Sequence, residues 1–169
     1  MPNKSNCSQK KNQQKCINRS KNLLNLKNKL PKHYYKSLSL KEQDKQIRQI
    51  QKSQKLYKQK KYFTRKKMSS FKPKISKHIT DFKKCYGISL NNNRLISKKT
   101  GVPIKVIEEI LRKGRGAYYS AGSRPNQTAE SWARARLASA LLKRSAYNID
   151  KHIFQKYKVT KIKSCIKSS

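Results

Sequence analysis

Apolar residues recur along this chain at helical spacing, without the strict alternation of a half-buried strand. From Ser39, the run SLKEQDKQIRQIQKSQKLYKQKK places Leu40, Ile47, Ile50 and Tyr57 at roughly heptad intervals. That predicts a helix of about six turns with a thin apolar seam. Ser39 and Glu42 have the S-x-x-E spacing of a capping box at its start. After Pro73, the residues Ile75, His78, Ile79, Phe82 and Tyr86 share one helical face, and Gly87 is placed to end it. His78 therefore reads as part of a packed face, not as a ligand. Leu95 and Ile96 precede Gly101, and Val102, Ile107 and Ile110 follow, with Pro103 opening the second helix of a helix-turn-helix spacing. Glu108 and Glu109 on that helix would repel phosphate, so a helical hairpin serving the core is favoured over a DNA-reading pair.

From Ala129, the run AESWARARLASALLKR aligns Ala129, Trp132, Ala133, Leu137, Ala140 and Leu141 on one face, with Asn126 or Thr128 as its cap. Trp132 is expected to anchor the core, while Arg134 and Arg136 leave toward other faces. A last short helix, about Asp150 to Tyr157, contributes Ile153 and Phe154. The pattern predicts an all-α fold with a small helical body over about 71–157. A disordered basic tail over 1–37, with only the weak cluster Leu23, Leu24, Leu26 and Leu30, comes first. A basic amphipathic helix and linker over 38–70 follows it, and a frayed basic C-terminal tail covers 158–169.

Charge changes the picture from a fold to a partner. Lys and Arg number 44 against 7 Asp and Glu, a net +37. Residues 1–84 hold 26 of the cations and no glycine; residues 85–169 hold seven of the ten arginines and all five glycines. Such a chain repels itself when compact, and a polyanion is the natural counterweight, DNA favoured over RNA. No apolar run marks a signal peptide or a membrane span, and no apolar helix face adjoins the basic runs as membrane binding would need. Cys7, Cys16, Cys85 and Cys165 are scattered, with neither C-x-x-C nor paired histidines. They favour free thiols in a reducing compartment over a disulfide between distant cysteines, and they suggest no metal site. No cofactor is expected.

Candidate chemistry concentrates after Lys113, where GRGAYYSAGSRPNQT places Gly114, Gly116 and Gly122 within nine positions. The run lacks the Gly-Lys-Ser/Thr ending of a phosphate-binding loop and follows a helix instead of a strand. It lacks a proton-handling pair as well. A Ser120–Glu130–His152 assembly is conceivable, but no spacing requires it. The best reading is a nucleic-acid contact built from Arg112, Lys113, Arg115, Tyr118, Tyr119, Arg124, Arg134 and Arg136. Here Gly114 caps the preceding helix, Gly116 and Gly122 permit close approach, arginines grip phosphates, and tyrosines stack on bases. The alternative has the tyrosines packing on Trp132 and the arginines tying the loop down. The basic cluster KQKKYFTRKK from Lys58 reads as a solvated charge run.

The run GRGAYYSAGSRPNQTAESWARARLASAL, from Gly114 to Leu141, resembles the signature of an uncharacterised family of small basic proteins of large DNA viruses of eukaryotes, the mimivirus- and chlorovirus-like groups. Weaker likeness extends upstream through SLKEQDKQIRQI and FKPKISKHITDFKKCYG and downstream to AYNIDKHIFQKY, covering most of 34–157. The chain departs from the family at Lys143, where KRSAY stands in place of a small-residue link. The resemblance implies a viral origin and a place in the particle, and it carries over no catalytic residue. The expectation is a non-enzymatic, largely sequence-independent nucleic-acid-binding protein, virion-associated, present in the host nucleus or a cytoplasmic viral factory, and aiding genome neutralisation or packaging. Its rivals are a minor capsid or core protein binding acidic partners, and a nucleic-acid-processing enzyme.

Overall fold

The computed structural model describes residues 10–165. Among them are seven α-helices, one 3-10 turn at Lys32–Tyr34, and no strand. The helices are α1 (Lys10–Lys29), α2 (Leu40–Lys58), α3 (Lys77–Tyr86), α4 (Asn93–Thr100), α5 (Ile104–Ala121), α6 (Ala129–Leu141) and α7 (Ser145–Lys156). The fold is all-α.

The central element is α5, which touches α2, α4, α6 and α7. Its Val106, Ile107, Ile110 and Leu111 recur at helical spacing and are buried in one core. Phe82 and Tyr86 of α3, Ile96 of α4, Leu137 and Leu141 of α6, and Ile153 and Phe154 of α7 complete that core. Each fully buried isoleucine contributes on the order of 1.5–3 kcal/mol. Thr128 caps α6 by accepting from the Ser131 amide, and Ser131 returns the contact.

Several expected boundaries move, each for a physical reason. The helix before the glycine-rich run does not stop at Gly114; α5 continues through Gly114 and Gly116 to Ala121. A Cβ at Gly114 would lie 2.6 Å from the Cα of Ala133, so the glycine is there to let α5 and α6 cross backbone to backbone. The helix ends instead at Gly122, whose φ of +98° no branched residue adopts easily. Pro73 does not open α3, which starts at Lys77, and Ile75 is left outside the core. The last helix begins at Ser145, which carries Asp150 into the middle of α7.

The N-terminal third forms a second layer. Where the composition suggests a disordered tail, α1 is helical because Leu23, Leu26 and Leu30 find partners in Tyr34, Tyr35, Ile47 and Ile50. The rest of that tail prediction, residues 1–9, lies outside the described residues. The inner face of α2 is largely polar. Gln43, Gln46, Gln49 and Ser53 are buried there beside Ile47 and Ile50. Gln46 donates to the Ser123 carbonyl (3.2 Å), Ser53 to the Tyr119 carbonyl (3.2 Å), and Gln49 accepts from the Lys66 amide. The expected capping box does not form, because Ser39 makes no side-chain cap. Glu42 turns instead to the amides and hydroxyls of Ser69 and Ser70, pinning the non-helical strap after α2. Those bonds, Ser70's hydroxyl foremost, hold its pKa down to about 2.

The expectation of free thiols is corrected at Cys85 and Cys165, which are joined in a disulfide spanning 80 residues of sequence. Of the segment expected to fray, residues 158–165 fold back instead, and residues 166–169 lie outside the described residues. Ile162 is buried, the Lys163 amide donates to the Thr100 carbonyl (2.8 Å), and the Tyr86 hydroxyl donates to the Lys163 carbonyl (2.9 Å). Those contacts bring the two cysteine Cα atoms to 4.7 Å, within bonding range.

Candidate nucleic-acid interface

The signature run divides between fold and surface. Tyr118 is only 2% exposed, and its hydroxyl donates to the Gln127 carbonyl (3.0 Å). The guanidinium of Arg65 lies 3.7 Å from the centre of its ring, and Arg65 also donates to the Tyr118 carbonyl and the Ser123 hydroxyl. Tyr119 stacks on Tyr57 at 5.8 Å and meets Tyr62 edge-on at 5.0 Å. Neither tyrosine packs on Trp132, and Tyr118 has no open face for a base. Asn126, at φ +56°, is a clip. Its amide group donates to the carbonyls of Met68 (2.9 Å) and Phe71 (2.7 Å), and its oxygen accepts from the Met68 amide (2.7 Å). The turn thus holds the 59–76 strap on the body.

The arginines also sort by partner. Arg136 grips the fully buried carboxylate of Asp150 with two bonds, 2.8 and 2.7 Å, and Lys113 reaches the same group at 3.2 Å. A buried carboxylate needs that compensation, so these cations hold α5, α6 and α7 together. Glu130 lies between Arg115 (3.1 Å) and Arg134 (2.8 Å). Glu109 pairs with Lys156 at 3.0 Å, and Asp81 with Arg144 at 2.6 Å; each carboxyl is held below its ordinary range by that bond. Among the described residues, four of the seven acids thus engage six cations. Arg112 and Arg124 are exposed and carry no ion pair among the described residues.

Three adjoining depressions run along the exposed side of α5. The first, about 1150 Å³, lies between the start of α4, α5 and α6 and is lined by Arg94, Lys105, Arg112, Arg115 and Arg134 among others. The second, about 520 Å³, shares Glu109 and Arg112 with the first and adds Lys113, Arg136 and His152. The third, about 690 Å³, shares Tyr57 and Ser120 with the second and carries Arg48, Lys52, Lys55 and Lys58 of α2. Together they form a concave band lined by eleven Lys and Arg against three Glu. Gly116 contributes by yielding room to Tyr57, whose hydroxyl stands 2.9 Å from where a Cβ would be.

Of the eight residues singled out in the sequence, Arg112, Lys113, Arg115, Arg134 and Arg136 line this band. Arg124 lies elsewhere, in a depression with Trp132, and Tyr118 and Tyr119 line none of these spaces. Sequence reasoning missed the α2 cations, whose only signal was their recurrence along one helix, and it missed Arg65 and Asn126. Trp132, expected in the core, is half-buried against the edge of Tyr34 (6.1 Å) in the second layer. His78 is half-buried as well, beside Arg144. Ser120 and His152 face one depression but share no hydrogen bond, and Glu130 belongs to another. Among the described residues no group of three or more His, Cys, Asp or Glu is placed to hold a metal, and no helix is long and apolar enough to cross a membrane.

Fold and groove together define a small, strongly basic, all-helical protein. The chain belongs to DUF5824, a family of unknown function whose profile matches residues 31–158. An uncharacterised family over this span is what the resemblance of residues 34–157 implied. No curated protein and no solved structure matches the chain.

Proposed function

We propose that this protein is a non-enzymatic, largely sequence-independent nucleic-acid-binding protein of a large DNA virus, carried in the virion and aiding neutralisation or packaging of the genome. The observation that supports this reading is the band, eleven cations against three glutamates along three adjoining depressions. Each phosphate met by a cation releases condensed counterions, which gives affinity without sequence readout. Arginines already braced by Glu130 and Asp150 are preorganised for such contacts, and the lysines of α2 supply charge that follows the backbone.

Anisotropy of a labelled duplex, titrated with the full chain across a salt series, tests the reading. If about eight band cations meet phosphates, log affinity falls against log salt with a slope near −7, equally for unrelated sequences. A flat slope, together with tight binding to an acidic protein, would favour the capsid or core reading instead.

A further inference from the structure

The depression that holds Trp132 differs from the band in kind. It encloses about 530 Å³ between the start of α3, the turn before α6, and α6 and α7, and no acid lines it. Trp132, Ala135 and Ala146 make its wall apolar. Ile75 and Ile149 also line it, both exposed and adding apolar surface beside the wall. Lys74, Lys77 and Arg124 supply its positive charge, and Arg136 lines both this space and the middle of the band.

These features select a ligand chemistry. An aromatic and aliphatic wall favours a flat apolar body, and cations in a lining that itself holds no carboxylate favour an anion attached to it. We infer that this cavity receives an unpaired base of a single-stranded nucleic acid, stacked on Trp132, with its flanking phosphates on Lys74, Lys77 and Arg124. The inference rests on the nucleic-acid-binding reading and adds a preference for unpaired strands, because a base inside a duplex has no free face to offer. An acidic amphipathic peptide is the competing occupant. It would need a long open groove for repeated anchors, whereas this space falls in the range of about 300–1,000 Å³ that encloses small ligands.

Trp132 is the only tryptophan in the chain, so its emission reports on this cavity alone. The full-length protein is titrated with a thymidine homopolymer and with a duplex of equal length at one salt concentration, reading anisotropy for binding and emission for stacking. The expected result is quenching by the single strand and not by the duplex, with the single strand bound about tenfold more tightly. Ala135→Met, which fills the cavity, and Lys74→Ser combined with Arg124→Ser should each abolish the quenching, while Ala135→Met still binds duplex through the band. Equal binding of both strands with unchanged emission would remove the base site and leave the electrostatic reading standing. No binding of either would remove both. Quenching by polyglutamate and not by the oligonucleotide would give the cavity to an acidic protein partner and overturn the inference.

Discussion

The two halves of the basic band hold their cations in different ways. On the α5–α6 side, Arg115 and Arg134 share Glu130, and Lys113 and Arg136 share Asp150. On the α2 side, Arg48, Lys52, Lys55 and Lys58 line a depression that contains no acid. Those four cations are braced, whereas Arg94, Lys105 and Arg112 beside them pair with no acid among the described residues, and the α2 side is bare charge throughout. The same divide runs through the fold. The body that carries α5 and α6 is closed by a large apolar core, whereas α2 and the strap surround the small cluster of Ile47 and Ile50 with contacts from glutamines, a serine, Arg65, Asn126 and Glu42. Half of the band therefore depends on polar contacts that are individually worth about 1 kcal/mol and costly only when one partner is removed.

The largest expected effect breaks the apolar side of this comparison. In Gly114→Ala the new methyl group meets the backbone of Ala133 at 2.6 Å, and the two helices must separate. The overpacking outweighs the gain in helix propensity, for a net loss of about 3 kcal/mol in denaturant unfolding. A smaller effect breaks the polar side. Asn126→Ala removes three hydrogen bonds and leaves the amide of buried Met68 without its partner, costing about 2 kcal/mol. Limited proteolysis should then cut within residues 59–76 first, with the helical body still intact.

The smallest effect is one of pH. Glu42 has its folded pKa lowered from 4.5 to about 2, so its contribution is complete above the ordinary value and is lost as pH falls toward the folded one. The amide resonances of Ser69 and Ser70 should shift across that acid window. Glu42→Gln should abolish the shift.

The apolar positions were legible in the sequence, Ile47 and Ile50 of α2 among them, and the polar docking was not. Phe82, Ile107, Ile110, Leu137 and Ile153 announced their helices because burial imposes a 3.6-residue period that any reader can count. Nothing comparable marks Gln46 or Asn126, whose roles depend on carbonyls 77 and 58 residues away. The glycines misled for a related reason. Gly114 looks like a helix stop until Ala133 is known to pass beside it. Cys85 and Cys165 met only because the tail folds back, which no spacing reveals. Among the site residues, Arg112 was readable as an exposed cation, while the acids that engage Arg115, Arg134 and Arg136 came from tertiary placement.

Contact between the band and nucleic acid is tested most sharply at the α2 cations, which pair with no acid among the described residues. The most direct measurement is the salt dependence of duplex binding by the full chain in which Arg48, Lys52, Lys55 and Lys58 are all changed to serine. Its circular dichroism should match that of the unaltered protein. The slope should become shallower by up to about 3.6, four lost phosphate contacts at roughly 0.9 each. An unchanged slope would contradict that contact.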